Sequence, residues 1–219
     1  MAKNKIIKTK HLRITPWSDE QLREALYEAA SAEEKRKYSE MLAGAQIYPD
    51  HRLWYTKWEI TLKTDGTPVG ELYFKGPANG LGEVELVFRL FPAYRGRGYG
   101  SESVSELIDL AFRSDDVYFI LTQLQSDDEM IQAMLKKLGF AESNRQGSQG
   151  RFYELERPWS ELTKNLAALG AALGLLLGIF PLGNLQAGAL IGIFSGYAIG
   201  AYFDGKDRRI REKLRRKRV

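Results

Sequence analysis

Residues 94–104 read Tyr-Arg-Gly-Arg-Gly-Tyr-Gly-Ser-Glu-Ser-Val, YRGRGYGSESV in one-letter code. Gly96, Gly98 and Gly100 alternate with Arg97 and Tyr99 behind Arg95. Before this stretch stands an apolar run that suits a strand, Glu83 to Leu90. After it, Val104, Leu107, Ile108, Ala111 and Phe112 fall at helical spacing. Strand, glycine turn and helix start form an arrangement that holds phosphate, because unpaired N–H groups and the helix dipole both favour an anion there. A plain tight turn is the competing reading, but alternating glycines flanked by two arginines exceed what a turn needs. A Walker A loop is excluded, since no Gly-Lys-Ser/Thr closes the stretch. A dinucleotide fingerprint fails at its third glycine, where Ser101 stands, and this loop follows an antiparallel meander rather than opening a parallel unit.

Working outward, Ile6 to Ile14 alternates apolar and polar residues as a strand does, and Gln21 to Glu40 carries one or two helices. Trp54 to Leu62 and Val69 to Phe74 read as strands joined through Asp65-Gly66. Val117 to Leu124 is a buried strand, Asp127-Asp128 cap a helix that Gly139 ends, and Phe140 to Ser143 and Arg151 to Leu155 close the domain as two strands. The order predicts an α+β fold: a mixed, mainly antiparallel sheet flanked by helices, with one βαβ crossover.

The chain has 219 residues and no cysteine, which excludes disulfides, thiolate metal sites and a cysteine nucleophile. Two histidines, His11 and His51, are too few for a histidine-based metal site, so no metal is expected. The start, MAKNKIIKTK, lacks the apolar core of a secretory signal. Of the net charge of +4, the last 16 residues hold nine Lys/Arg and three Asp/Glu, a surplus of six, which leaves the rest at −2.

The glycine stretch resembles the acyl-CoA signature Gln/Arg-x-x-Gly-x-Gly/Ala of the GNAT superfamily of N-acyltransferases, with Arg95-Gly96-Arg97-Gly98-Tyr99-Gly100 in register. LFPAY before it, SESVSELIDLAF after it and LKKLGF further on match in order, and TKHLRITPW together with GRGYGSESVSELIDLAF looks most like the branch containing the ribosomal-protein alanine N-acetyltransferases. The resemblance covers roughly residues 7–157. It implies acetyl-CoA as co-substrate, with the pyrophosphate on Arg95, Gly96, Arg97, Gly98, Tyr99, Gly100 and Ser101. Pantetheine would bond the backbone near Leu90 and Phe91 as an added strand, and the Leu90 N–H would stabilise the oxyanion. It also implies Glu85 as the base, with Glu83 on the same strand face as rival. Asp128 stands where the family often has a cofactor-contacting asparagine, and Leu135 where many members carry an acidic tyrosine. The acceptor is a primary amine: a protein N-terminus, a small amine or an aminoglycoside. Tyr48, Trp54, Tyr55 and Trp58 form an aromatic cluster on its expected side. Two other readings stand beside catalysis: an acyl-CoA sensor without turnover, and a membrane element of which the domain is a soluble cap.

From Asn165 to Phe203, 39 residues carry no charge. Pro181 to Asn184 divides them into Leu166–Leu182 and Leu185–Phe203, each long enough to cross a hydrocarbon core of about 30 Å at roughly 1.5 Å per residue. Gly170, Gly174 and Gly178 recur every fourth residue, as do Gly188, Gly192, Gly196 and Gly200, and so let two helices approach closely or associate with a second copy. The expected organisation is therefore a catalytic domain over 1–160, a two-helix transmembrane hairpin over 161–203 and a basic tail over 204–219. Cationic flanks place both termini on the cytoplasmic side of the cytoplasmic membrane. The tail would lie on anionic lipid headgroups, with nucleic acid or ribosome contact as its second reading.

Overall fold

Residues 6–124, 128–147, 150–159, 162–179 and 184–218 are described by a computed structural model, in which the chain divides into two compact units, Met1–Arg157 and Pro158–Val219. The first begins with β1 (Ile7–Lys8) and β2 (Leu12–Pro16), which pair antiparallel across a turn closed by Thr9 N donating to Leu12 O at 3.0 Å. The single opening strand of the sequence reading is thus two. α1 (Asp19–Glu28) starts at a capping box formed by Ser18 and Gln21, and α2 (Ala32–Ile47) at Ser31, whose side chain accepts from Glu34 N. A 3₁₀ turn, Pro49–Trp54, takes the place of the start expected for the next strand, because Tyr55 N bonds back to Arg52 O.

β3 (Lys57–Leu62), β4 (Pro68–Phe74) and β5 (Glu83–Leu90) form the antiparallel meander, and Gly66 at φ 75° supplies the turn that Asp65-Gly66 announces. α3 (Tyr99–Phe112) crosses over to β6 (Phe119–Leu124), which runs parallel to β5. α4 (Glu129–Lys137) leads to β7 (Ala141–Gly147) and β8 (Gly150–Glu156). The sheet order is β1-β2-β3-β4-β5-β6-β8-β7, the mixed α+β sheet that the residue pattern calls for.

The two sheet faces have different cover. Leu12, Ile14, Trp58, Ile60, Leu72, Phe74, Val84 and Leu86 form one core with Val104, Leu107, Ile108 and Ala111 of α3. On the other face Tyr73 packs with Leu22, Tyr38 and Met41 of α1 and α2. Tyr73 pairs with Val87, so the odd-numbered side chains of β5, Glu83 and Glu85 among them, belong to this second face.

The second unit is a helix pair, α5 (Leu162–Ile179) and α6 (Leu185–Arg218). A β-carbon at Gly170 would fall 2.0 Å from Gly192 O, one at Gly174 2.1 Å from Gly188 O and one at Gly196 2.0 Å from Leu166 O. These pairings run in opposite directions along the two helices, which are therefore antiparallel with their backbones in contact. α5 begins four residues before the predicted Leu166, and α6 continues through the basic tail without a break. Gly178 and the Pro181-Leu182-Gly183 turn signal lie outside the residues whose side chains or placement are described.

Candidate active site

The N-terminus of α3 differs from those of α1, α2 and α4. Ser18, Ser31 and Asp128 cap those three with side chains, whereas Gly98, the N-cap of α3 at φ 83°, provides none. Glu102 N is the first to bond back into the helix, to Gly98 O at 3.1 Å, which leaves the N–H groups of Tyr99, Gly100 and Ser101 without intrahelical acceptors. Gly96 also has positive φ, 74°, which L side chains resist. A β-carbon at Gly98 would meet nothing within 4 Å, and one at Gly96 only Met130 Sδ at 4.0 Å, so the space beside both is open. Gly100 is different. Its β-carbon would meet Met134 Sδ at 2.8 Å and Leu90 Cδ1 at 3.3 Å, so this third glycine makes room for α4.

A cleft of about 360 Å³ opens here. Of the predicted residues, Leu90, Arg95, Gly96, Gly98, Gly100, Ser101 and Asp128 line it; Phe88, Met130, Met134 and Lys137 line it too and escaped the sequence reading. Arg95 Nε donates to Leu90 O at 3.4 Å, and Arg95 Nη1 lies 3.9 Å from Asp128 Oδ2. Asp128 has a structural task as well, since its Oδ1 accepts from Met130 N at 3.0 Å and Ile131 N at 3.2 Å to cap α4. Arg97 stands over the Tyr94 ring at 5.7 Å, and the Tyr99 ring packs 6.3 Å from His11.

Along β5 the hydrogen bonds show which peptide groups are available. Lys75 N donates to Glu85 O and Phe91 N to Val69 O, each at 2.9 Å, so odd-numbered residues bond toward β4. Even-numbered residues face β6, whose pairing with β5 ends at Glu85 opposite Leu121. Past that point the strands part, and the peptide groups of Phe88 and Leu90 face the gap. Phe91 has both of its peptide groups bonded within the chain. Its N–H is held by Val69 and its carbonyl accepts from Tyr94 N at 2.9 Å. Phe88, two residues before Leu90, turns its peptide groups to the same side as Leu90.

The two carboxylates of β5 have separate surroundings. Glu83 is buried, accepts from Arg145 Nη2 at 2.6 Å and from Asn79 Nδ2 at 3.0 Å, and so ties β5 to β7 and to the preceding loop. Glu85 is partly open and meets Lys75 Nζ as an ion pair rather than an aligned hydrogen bond. Glu85 lines a cavity of about 490 Å³ with Arg145 and Phe152. Lys75 lines another of about 710 Å³ between α2 and β4, with Glu33, Glu34, Lys37, Trp54, Tyr55 and Tyr73. The ion pair therefore stands between two cavities on the α1/α2 face. Burial first, then the negative charges of Glu71 and Glu85, push the Tyr73 phenol up to about 12, so it keeps its proton and can donate.

The aromatic cluster divides. Trp58 is fully buried core, Tyr48 stacks on Tyr55 with ring centroids 5.7 Å apart, and only Trp54 and Tyr55 reach the larger cavity. Leu135 is fully buried in the core and brings no proton donor to the cleft.

The model of the family described as acetyltransferase (GNAT) domain matches residues 10–141. No curated protein matches the chain. Among solved structures, the ribosomal-protein-S5-alanine acetyltransferase from Vibrio fischeri is similar with a TM-score of 0.54 at 12% identity, covering 70% of this chain and 100% of that one. An acetyltransferase from Agrobacterium tumefaciens is similar at 0.52 and 17% identity, over 70% of this chain and 95% of its own. RimL, a ribosomal L7/L12 alpha-N-protein acetyltransferase in complex with coenzyme A, is similar at 0.51 and 14% identity, over 69% of this chain and 98% of its own. At such identities the likeness is one of fold.

Proposed function

Because the chain belongs to the GNAT acetyltransferase family, we propose that it moves an acetyl group from acetyl-CoA to a primary amine by direct attack, and that the α5–α6 pair tethers it to a membrane. The observation that carries the first half is the uncapped start of α3, opening into a cleft beside Arg95 while α1, α2 and α4 are capped by side chains. The N–H groups of Tyr99, Gly100 and Ser101 suit a pyrophosphate, with Arg95 and Arg97 supplying cations. The peptide groups of Phe88 and Leu90 suit the pantetheine arm, and an N–H of this pair suits the oxygen on which charge develops. Acetyl-CoA, when bound, supplies the activated acyl thioester.

Glu85 takes the proton of the acceptor amine, directly or through water. Lys75 is its resting counter-ion, and the incoming ammonium group replaces Lys75 there. Glu83, clamped by Arg145 and Asn79, keeps a structural role. With Leu135 in the core, solvent protonates the departing thiolate. Glu85→Gln tests this: acetyl-CoA binding persists while thiol release with amine acceptors falls. Full turnover in that variant would remove Glu85 as base. The absence of an acid at Leu135 favours one second reading, an acyl-CoA sensor, which predicts binding without turnover in the native chain. The acceptor is a protein N-terminus or a small amine; the similar structures named for ribosomal proteins favour the former.

The second half rests on the outer surface of the helix pair. α6 is long and apolar enough to cross a membrane, and only 17% of its apolar window is buried. Leu169, Leu173, Ile191 and Phe194 are all more than half exposed. Such a surface requires lipid or another apolar cover. Lys164 and the cations after Phe203 put both ends of the pair in the cytoplasm. The facing glycines are already used within the chain, so lipid rather than a second copy covers the remaining surface. A full-length chain that stays in the soluble fraction would end the tethering proposal.

A further inference from the structure

We propose that the C-terminal part of α6 is a binding element for the phosphate backbone of nucleic acid, held away from the membrane surface. The proposal goes beyond acetyl transfer, and only its geometry relative to lipid rests on the hairpin reading. α6 is one continuous helix from Leu185 to Arg218. Asp204 marks the level at which α5 begins, because its Oδ2 accepts from Thr163 N at 2.9 Å, at the first turn of that helix. Arg211 is buried against Trp159, with its guanidinium 4.7 Å from the ring, and donates to Pro158 O at 3.0 Å and pairs with Asp207 at 2.8 Å. These contacts hold the helix to the chain that precedes α5 and keep the basic segment in line with the apolar one.

That geometry disfavours lipid headgroups as the partner. A helix that lies on a membrane needs an apolar face opposite its cations. Between Asp204 and Arg218 the only large apolar residues are Ile210 and Leu214. At 100° per residue the exposed cations Lys206, Arg208, Arg209, Lys213, Arg215, Arg216 and Lys217 occupy an arc of about 200°, and Ile210 and Leu214 outside that arc are both partly buried, so little apolar surface is left to enter a bilayer. Counted from Asp204 at 1.5 Å per residue, Lys213 to Lys217 stand about 13 to 20 Å along the axis. Charges are screened over about 8 Å at physiological salt, so Lys213, Arg216 and Lys217, unlike Lys206, Arg208 and Arg209 nearer Asp204, lie beyond the reach of a membrane that α6 crosses.

A helix side that presents a row of cations and little apolar surface suits a phosphate backbone, that of a single strand included. The segment from Asp204 to Arg218 contains no Asn, Gln, Ser, Thr or Tyr, the neutral side chains that read base edges or bond phosphate without charge. The contacts available are therefore those of lysine and arginine, so binding is electrostatic and weakens with salt.

The test uses the full chain in nanodiscs of phosphatidylcholine, a labelled polyuridylate RNA as probe, and a salt titration. Binding is expected, with a log–log salt slope that falls by about two units in a Lys213→Gln/Arg216→Gln/Lys217→Gln variant, since each phosphate contact contributes about 0.7. The same arithmetic gives a loss of affinity of about a hundredfold near 0.1 M salt. Lys213→Arg/Lys217→Arg should retain binding, which separates charge from misfolding. No binding, or equal binding by the triple variant, overturns the proposal. So does loss of RNA binding when phosphatidylglycerol is added to the nanodisc, because headgroups would then have claimed the helix. Acetyl-CoA binding is measured separately and stands or falls on its own.

Discussion

Glu83 and Glu85 occupy one face of one strand, yet they have different partners and burial, and Arg145→Met exposes the difference. Glu83 is 5% exposed at its side chain and sits 2.6 Å from the Arg145 guanidinium, which is 36% exposed. Removing one partner of a fully buried pair costs about 3–5 kcal/mol. Arg145 is partly solvated and Asn79 still donates to Glu83, so the cost here is nearer ~2 kcal/mol. For a domain of this size that is a fall in Tm of about 4–8 °C. A Glu83→Gln/Arg145→Met double variant should lose less than Arg145→Met alone, because it leaves no buried carboxylate short of its cation. Thermal unfolding of the full chain in detergent reads these differences, and thiol release from acetyl-CoA with free-N-terminus peptides reads turnover. The reasoning is refuted if Arg145→Met leaves Tm unchanged, or if Glu83→Gln abolishes turnover at unchanged Tm.

Asp128→Asn should tighten acetyl-CoA binding several-fold at unchanged Tm, since asparagine caps a helix as well as aspartate and removes a negative charge from a phosphate site; calorimetry checks it. Glu102 opposes burial with hydrogen bonds from Thr9 and His11, which hold its carboxyl below the ordinary 4.5. With the folded-state value depressed, the stability present above the unfolded value is lost as pH falls through the folded value, so the Tm advantage over Glu102→Gln should shrink steadily as pH is lowered below 4.5 on an acid titration of Tm. Gly192→Leu places side-chain carbons where Gly170 O lies 1.9 Å from the ideal β-carbon, so α5 and α6 must separate. Protease resistance of the hairpin in detergent should fall, and native resistance would contradict the packing described.

The glycine loop was legible because its signals are local. Positive φ at Gly96 and Gly98 and a helix starting without a cap leave their mark in consecutive residues. The meander was legible for the same reason, from alternation and an Asp-Gly turn. What the sequence hid depends on register and distance. That Phe88 rather than Phe91 faces the gap follows from which peptide groups bond β4, and that parity is set by a strand remote in sequence. The Lys75–Glu85 and Glu83–Arg145 pairs join residues 10 and 62 apart in the chain, so no short-range pattern announces them. Gly100 has a visible oddity, but the neighbours that need its missing side chain, Met134 of α4 and Leu90, lie far from it in sequence or across the loop. The opening strand looks single in the sequence because Thr9–His11 lacks the glycine or proline that marks most turns; a threonine side chain bonding Leu12 makes the turn instead.

The central claim is that the uncapped start of α3 and its arginines hold acetyl-CoA. Calorimetric titration of acetyl-CoA into the full chain, beside an Arg95→Glu/Arg97→Glu variant, tests it most directly. Micromolar binding by the native chain that is lost in the variant is the predicted result. Absence of binding by a folded native chain, or equal binding by both, would contradict the account.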